Sequence, residues 1–430
     1  MKRLINTNFT LFATGRMISL LGSGIQNVAI PLYILRTTGS GLIMGTYAFA
    51  QLLPQIFIMP LGGVLGDNFN RKKIMIMMDV LSGLTSLFLA FTIINGELSI
   101  PLLFVCQIFL SSFFSIFDTS TAAMVPEIVD KDRLLKGNSI IGSIDSATFI
   151  AGPIIGAAIF GLAGIRIVFV IDGISFLLSA ISELFIAYKP HLEKSSRLSF
   201  EKTKKDIIEG FSFLKRSKGI NYLITFAAIV NFFGIASISV LLPYIFIEGI
   251  GFSDTQFGVL QSSIMVGILL GNICLSIISG RLGKKQIVTY GLVAEAVIFT
   301  VIGVFFYPIV SETLHGASDL LFMLFVILLI GFGVSNAFLR TSIQTNMQLM
   351  IPNELRARVL SAYSFSMQII APIGVFAAGA FLEIVPYYHL FMFSAVMIIL
   401  ATAVFLTKAP EEALDPGLPK AREMDYLSNK

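Results

Sequence analysis

The chain contains about twelve separate apolar stretches, and each is long enough to cross a lipid bilayer. The hydrocarbon core of a bilayer requires about 20 apolar residues per helix, and backbone groups inside it must bond within their own segment. Hydrophobic residues make up 55% of the sequence and charged residues 13%, a charge content too low for a soluble domain. We therefore predict an all-α integral membrane protein. The twelve predicted helices lie near residues 9 to 35, 42 to 66, 74 to 95, 101 to 125, 138 to 163, 167 to 187, 220 to 247, 255 to 279, 286 to 309, 319 to 346, 358 to 383 and 387 to 406.

The two halves of the chain repeat each other at an offset of 222 residues. Residues 118–120, Asp-Thr-Ser, recur as Arg-Thr-Ser at 340–342, and the same offset carries Lys136 onto Arg358. The register of this repeat predicts a chain made of two related halves.

The positions of the basic residues predict the orientation in the membrane. With both termini placed in the cytoplasm, only Arg36 and Arg166 of the 30 lysines and arginines fall in outer loops, while Arg16 and Arg340 fall within spans. Loops rich in lysine and arginine stay on the cytoplasmic side, so we predict that both termini are cytoplasmic. The net charge of +4 comes from these loop clusters and indicates no nucleic-acid partner.

A polar stretch between the sixth and seventh spans divides the chain. Within it, Ile207, Phe211 and Leu214 recur at helical spacing while lysines occupy the other positions, which predicts an amphipathic helix on the inner membrane surface. This helix is either a plain linker or a regulatory or partner-docking element. The predicted divisions are an N-terminal bundle over 1–188, a cytoplasmic linker over 189–219, a C-terminal bundle over 220–407 and a cytoplasmic tail over 408–430.

Cysteines and the N-terminal residues add no further site. Cys106 and Cys274 both lie in apolar segments without a partner nearby in the sequence, so neither a disulfide nor a metal motif can be built from them. We predict no cofactor. Lys2 and Arg3 precede an apolar stretch that is too long for a signal peptide and lacks a small-residue cleavage site, which predicts a retained first span.

A segment rich in glycine and basic residues connects the second and third spans. Residues 63–73 read Gly-Val-Leu-Gly-Asp-Asn-Phe-Asn-Arg-Lys-Lys, which resembles the loop signature of the major facilitator superfamily. The resemblance implies that Gly63, Asp67, Arg71 and Lys72 belong to a cytoplasmic gate. Small residues let membrane helices approach closely, and Asp67 can cap a helix or pair across the interface between halves. A simple topology anchor would explain the three basic residues alone.

The segment departs from the family signature at two positions. Asn68 stands where a basic residue is usual, and Asn70 stands where glycine is usual; asparagine tolerates the left-handed turn conformation that glycine supplies. The matching loop of the second half, 279–285, reads Ser-Gly-Arg-Leu-Gly-Lys-Lys and has lost the acid. We therefore expect the first copy to dominate the gate.

The fifth span contains Gly152, Pro153 and Gly156. These residues resemble the core of a motif from antiporter branches of the superfamily, although the more distant glycines of that motif are Thr148 and Ser139 here. Proline bends a membrane helix, and flanking glycines allow tight packing against a partner helix. The motif favours export over uptake, while a purely structural Gly-Pro kink is the alternative.

Further segments resemble the macrolide-efflux branch of the superfamily, to whose broad group the enterobactin exporter belongs. They are Ile-Met-Ile-Met-Met-Asp at 74–79, Glu-Gly-Phe at 209–211, Arg-Val-Leu-Ser at 358–361 and Ala-Pro-Ile-Gly at 371–374. The resemblance runs from about residue 9 to residue 406. It implies a twelve-span fold of two six-helix bundles and alternating access about a central cavity.

Of the charged residues that fall inside predicted spans, four are the main candidates for a functional role. Asp118 in the fourth span and Asp145 in the fifth are at similar depth, where each could meet the other or Arg16 of the first span. Ionisable groups within a membrane usually mark a substrate or ion pathway, so this cluster is a candidate proton site. One alternative is a static ion pair. Another is that the Arg16 side chain extends to the inner membrane interface. Arg340 is the pseudo-symmetric partner of Asp118, and we expect both to face one cavity.

Three other acids are weaker candidates. Asp172 is six residues from Arg166 and is expected to pair with it, and Glu183 is expected to reach the inner interface. Glu295, in the ninth span, has no evident partner nearby in the sequence. It is a candidate coupling charge, with a structural or lipid-exposed position as the plainer interpretation.

These observations predict a secondary active transporter rather than an enzyme. No Gly-x-x-x-x-Gly-Lys-Ser/Thr phosphate loop occurs, so energy must come from an ion gradient or from a partner. With 39 phenylalanines and 16 methionines, an adaptable apolar cavity could accept amphiphilic molecules, although such residues also serve packing. We predict a monomeric, proton-coupled exporter of macrolide-like or other hydrophobic compounds in a bacterial plasma membrane. Export of a siderophore or another metabolite, or lysolipid transport on the same fold, are the alternatives.

Overall fold

Long helices make up almost all of the part of the chain that the structure describes. The computed structural model describes residues 7–94, 97–129, 134–188, 212–214, 218–279, 281–314, 317–351 and 355–416. Its helices are α1 (Thr7–Thr38), α2 (Gly41–Asn68), α3 (Arg71–Thr92), α4 (Ile100–Ile128), α5 (Leu134–Leu184), α6 (Lys218–Val230), α7 (Asp254–Ile278), α8 (Lys284–Phe305), α9 (Pro308–Thr313), α10 (Asp319–Met350), α11 (Arg356–Leu382), α12 (Tyr387–Lys408) and α13 (Glu411–Leu414).

The helix α5 contains two membrane crossings. At 51 residues it is far longer than one crossing requires, and it breaks at Gly164, whose φ of 74° and ψ of 177° are not helical. Glycine adopts positive φ without the steric cost that a Cβ would add. Eleven described helical segments are long and apolar enough to cross a membrane, and counting α5 twice agrees with the twelve predicted spans. The prediction of an all-α membrane protein is confirmed.

Two compact units account for the described residues. Unit 1 comprises the described residues up to 188 together with 246–248 and 252–262, and unit 2 comprises the remaining ones. The predicted amphipathic helix of the central stretch lies outside the described residues except for 212–214, which are helical. Leu214 is buried in the apolar core of unit 2.

In unit 1, α1 packs along α5, α3 packs against both α4 and α5, and α2 packs against α4. Small residues allow this. A Cβ added at Gly152 would lie 2.8 Å from the Cα of Gly24, and one added at Gly83 would lie 2.9 Å from the backbone oxygen of Gly173. Helices in lipid associate through such close backbone approach, because lipid supplies no hydrophobic drive between them.

The helix α6 of unit 2 continues into a stretch of π-helical turns. Three π-helical turns, Asn231–Ile235, Ser237–Leu241 and Ile245–Gly249, extend it to the length of a full crossing. π-Helical turns in proteins are frequent at functional sites. Hydropathy does not predict these π-helical turns, because their residues are as apolar as those of an ordinary membrane helix.

The short helix α13 lies against the helix ends of unit 2. The side-chain amide of Asn346, in the last turns of α10, donates to the backbone oxygens of Ala413 and Leu414 at 3.0 and 3.1 Å. The Glu412 carboxylate accepts from the backbone N–H of Gly219, at the start of α6, at 3.1 Å. Ala413 and Leu414 are buried in the core of unit 2, so α13 forms part of the packed unit.

Candidate functional site

One arginine and two carboxylates from three helices meet inside unit 1. Arg16 of α1 donates from Nε to Asp145 Oδ1 at 2.9 Å and from Nη2 to Asp145 Oδ2 at 3.1 Å. Its Nη1 lies 3.8 Å from Oδ1 of Asp118, on α4. The structure therefore brings together three of the charges that the sequence singles out, and Arg16 points to acids of its own unit.

The two carboxylates of this cluster are held differently. Asp145 receives a two-point bond from the guanidinium, a geometry that fixes direction as well as adding energy. Asp118 has a longer, single contact, and half of its side-chain surface is exposed, compared with 28% for Asp145 and 13% for Arg16. The cluster thus has one tightly held acid and one accessible acid beside a shared cation.

In unit 2, the two remaining candidate charges have different surroundings. Arg340 of α10 is exposed, and its charge acts on the Tyr363 phenol of α11. That Arg340 and Asp118 face one cavity stays a prediction. Glu295 of α8 is 3% exposed and lies beside Asn336 of α10, so it faces the interior of the unit and not lipid.

The predicted cytoplasmic gate falls at the junction of α2 and α3. Gly63 and Asp67 lie in α2, which runs to Asn68. The contacts of these two residues are outside what the structure describes. Asn70 begins α3 as its N-cap, and its side-chain oxygen accepts from the backbone N–H of Lys73 at 3.3 Å. The gating role of this segment stays a prediction.

The basic residues at the start of α3 bind the ends of neighbouring helices. Arg71 Nη1 donates to Glu127 Oε1, near the end of α4, at 2.6 Å, and Lys72 Nζ donates to the backbone oxygen of Leu184, at the end of α5, at 2.8 Å. The Tyr188 hydroxyl donates to the other oxygen of Glu127. Burial, reinforced by the hydrogen bond to Glu127, raises the pKa of Tyr188 to about 12, so the phenol remains a donor.

The Arg71–Glu127 pair is expected to stabilise this end of unit 1. Arg71→Gln and Glu127→Gln should each lower the melting temperature in detergent, and the double variant should lose less than the two losses added together. The expected coupling is about 1 kcal/mol, because the pair is partly exposed. Lys73→Gln, at the exposed neighbouring base, is the matched control. Strictly additive losses would show that the two side chains act independently.

The predicted antiporter-type residues lie where α5 contacts two segments of unit 1. A Cβ added at Gly156 would lie 2.6 Å from the backbone oxygen of Ile25 on α1. One added at Gly258, in the stretch 252–262, would lie 2.6 Å from the backbone oxygen of Pro153. The Gly-Pro segment therefore meets neighbouring backbone on two sides, a tighter packing than a kink alone requires.

Two expectations about buried acids are wrong. Asp172 does not pair with Arg166: it is completely buried, its Oδ2 accepts from Ser86 Oγ at 2.6 Å, and Arg166 is exposed. Residues six apart on a helix point about 120° apart, so the two side chains leave the helix on different sides. Glu183 is 1% exposed and does not reach the interface, because it lies on the same helix face as Asp172.

Asp79, which the sequence marks only through a family resemblance, is buried as well. Its side chain on α3 is 2% exposed. The residues Asp79, Ser82 and Ser86 are spaced by three and then four positions, which places them on one face of α3. That polar periodicity within an apolar span is a sequence signal that the face points into the protein.

Comparison with known proteins gives a consistent picture. A family model described as Major Facilitator Superfamily matches residues 12–229 and 224–425. Macrolide efflux protein A of Streptococcus pyogenes is 24% identical over 393 residues, which cover 91% of this chain and 93% of that protein. Multidrug efflux pump Tap of Mycolicibacterium fortuitum is 24% identical over 419 residues, which cover 95% of this chain and 94% of that protein.

Solved structures agree with the fold. A bacterial homologue of the iron transporter ferroportin superposes with a TM-score of 0.74 at 18% identity, covering 94% of this chain and 98% of that one. The nucleoside transporter NupG superposes with a TM-score of 0.72 at 14% identity, covering 94% of this chain and 100% of that one. At these identities the likeness establishes the fold alone.

Proposed function

Since the chain belongs to the Major Facilitator Superfamily, we propose that it exports hydrophobic or amphiphilic compounds, of macrolide or multidrug type, in exchange for protons. Its proposed location is a bacterial plasma membrane, with both termini in the cytoplasm and alternating access to the two sides. The relatives named as macrolide and multidrug efflux proteins support the direction and the substrate class.

The observation that carries the proposal is the cluster of Arg16, Asp118 and Asp145. Charges inside a membrane protein are costly and are generally retained for ion or substrate movement. Here the cation is shared unequally, with two hydrogen bonds to Asp145 and one 3.8 Å contact to Asp118. Such a cluster can change state when a proton arrives at the more accessible acid.

In the proposed cycle, Asp118 exchanges the coupling proton. When it is ionised, its charge competes with Asp145 for the Arg16 guanidinium. When it is protonated, that attraction ends and Arg16 remains fully engaged with Asp145, whose two-point bond requires the ionised form. Because the three residues come from α1, α4 and α5, this exchange alters contacts among three helices of unit 1.

A transport assay tests both parts of the proposal. The chain is expressed in a bacterial strain that lacks its own drug pumps, and resistance and accumulation are measured for macrolides and for cationic dyes such as ethidium. We expect a several-fold lower accumulation of at least one compound, and we expect a protonophore to abolish the difference. Asp118→Asn should remove the protonophore-sensitive export.

The matched control is Asp319→Asn, at an exposed acid in the first turn of α10, which should export like the wild type. If accumulation is unchanged for every compound, export of drug-like molecules is wrong; siderophore and lysolipid transport are then the next assays. Export that persists with the protonophore would instead contradict the coupling to protons.

A further inference from the structure

We propose that the seam between α1, α3 and the part of α5 after Gly164 is a proton path, formed by Asp79, Asp172 and Glu183. It is separate from the Arg16 cluster and uses residues that the proposed cycle leaves without a role. The inference rests on the proposed function, because a proton path has a purpose only in a chain that moves protons.

The three acids of the seam are buried, and each has one carboxyl oxygen without a hydrogen-bond partner. Their exposed fractions are 2% for Asp79, 0% for Asp172 and 1% for Glu183. One oxygen of each, Asp79 Oδ2, Asp172 Oδ1 and Glu183 Oε2, is buried and accepts no hydrogen bond. Burying an ionised carboxylate costs several kcal/mol, whereas a protonated carboxyl carries no charge and can donate one hydrogen bond and accept another.

Serine hydroxyls fill the spaces between the acids. On α5, Asp172, Ser175, Ser179 and Glu183 are spaced by three, four and four residues, which places them on one helix face. Asp172 and Glu183 are therefore separated by about 16 Å along the helix. That distance is too large for the acids to share one metal ion, and it favours a chain of sites over a single one.

One hydrogen bond joins the two helix faces: Ser86 Oγ of α3 donates to Asp172 Oδ2 at 2.6 Å. Within α5, Ser175 Oγ donates to the backbone oxygen of Asp172 at 2.7 Å. Asp79 of α3 lies beside Ser179 and close enough to Asp172 and Glu183 for their charges to interact. Asp79 thus stands between the two acids of α5.

The helix α1 closes the seam with small residues. A Cβ added at Gly22 would lie 3.1 Å from Asp172 Oδ1, and one added at Gly15 would lie 3.1 Å from Ser179 Oγ. Ser19, between these glycines, is itself buried. Any side chain larger than hydrogen at Gly22 would occupy the space beside the free oxygen of Asp172.

Titratable groups stand at both ends of the seam. At the Leu184 end, the charge of Lys72 acts on Glu183. At the Gly164 end, the Tyr47 phenol of α2 is near enough to Asp172 for their charges to interact, and its hydroxyl donates to Gln107 Oε1 at 2.9 Å. The seam therefore connects a base near one end of α5 with a buried hydroxyl network near its kink.

Proton movement along this seam requires no other reactant. A carboxyl group accepts a proton on its free oxygen and releases the proton on its other oxygen, so at each step one O–H bond breaks and one forms. A serine hydroxyl passes a proton in the same way, by donating to one neighbour and accepting from another, and Ser86 Oγ donates to an acid of the seam, Asp172. Chains of acids with this role are known in membrane pumps and transporters.

Reconstitution of the full chain in vesicles tests the path. In the first assay, an erythromycin or ethidium gradient drives proton movement, which a pH-sensitive dye inside the vesicles reports. In the second assay, labelled substrate exchanges between equal concentrations inside and outside, which reports transport without net proton movement. In Asp79→Asn, Asp172→Asn and Glu183→Gln we expect proton movement to fall at least about tenfold, equivalent to about 1.4 kcal/mol in barrier, while exchange stays near the wild-type rate. Asp79→Glu should retain much of the proton movement, and the exposed control Asp319→Asn should retain all of it.

Separate outcomes overturn the path and the proposed function. If the wild type exchanges substrate but moves no protons, coupling itself is wrong. If the wild type moves protons and the three variants move them equally well, the proposed path is wrong. The path is also wrong if the variants lose substrate exchange to the same extent as proton movement, or if coupling requires Na⁺. Should a variant not fold, the infrared carbonyl band of protonated carboxyl groups in the wild type decides: its absence contradicts a seam of neutral acids.

Discussion

Arg16→Gln is expected to lower proton-coupled export about ten- to a hundred-fold while the protein still reaches the membrane. The substitution removes both hydrogen bonds to Asp145, at 2.9 and 3.1 Å, and leaves two neighbouring carboxylates without a cation. Hydrogen bonds to charged groups are worth about 1.5 to 3 kcal/mol, and each 1.4 kcal/mol corresponds to about a factor of ten. Rates of export measured in vesicles at a fixed protein content provide the test.

Two further variants separate charge from general damage. Arg16→Lys keeps the charge but cannot make a two-point bond with a carboxylate, so we expect intermediate export. Arg166→Gln removes an exposed arginine at the other end of the membrane-spanning region and should behave as the wild type. Export by Arg16→Gln at the wild-type rate would show that the cluster is only a packing element.

Gly156→Ala is expected to be the most destabilising of the glycine-to-alanine substitutions in α5. Its Cβ would lie 2.6 Å from the backbone oxygen and 2.8 Å from the Cα of Ile25, and backbone atoms of α1 cannot move aside as a flexible side chain can. Overpacking of this kind costs about 1 to 3 kcal/mol. We expect a lower melting temperature in detergent and reduced export, since α1 also carries Arg16.

Gly142→Ala is the matched control on the same helix. A Cβ at Gly142 would have no neighbouring atom within 4 Å, and alanine stabilises a helix by about 1 kcal/mol relative to glycine. The same chemical change should therefore be neutral or slightly stabilising at one position and damaging at the other. If both variants melt alike, the contact between α1 and α5 does not limit stability.

Hydropathy alone predicts the number, type and approximate bounds of the membrane helices, because lipid leaves the backbone few alternatives. Even the division within α5 was predictable, since the two apolar runs meet close to Gly164 and a glycine can adopt the required positive φ. The π-helical turns of 231–249 were not predictable in this way. Hydropathy records how apolar a residue is and contains no information on which carbonyl its N–H will meet.

The site was predictable in its residue types and less so in its contacts. The depths of Arg16, Asp118 and Asp145 in their spans suggested that they meet, and the structure places them together. The expectations for Asp172 and Glu183 fail because distance along the chain does not specify the helix face on which a residue lies. Helical phase identifies the buried face correctly: Asp172 and Glu183 are eleven residues apart, which returns them to within about 20° of the same direction.

The packing of α13 sets a practical limit on how the protein can be labelled. The four residues of α13 contact the ends of three other helices of unit 2. Glu411 pairs with Lys285, Glu412 accepts from the backbone N–H of Gly219, and the backbone oxygens of Ala413 and Leu414 accept from Asn346. A fluorescent or affinity tag that replaces the chain from residue 411 onwards would therefore remove stabilising contacts from unit 2. A fluorophore attached at residue 416, two residues after α13, would report on unit 2, because α13 is packed into the core of that unit.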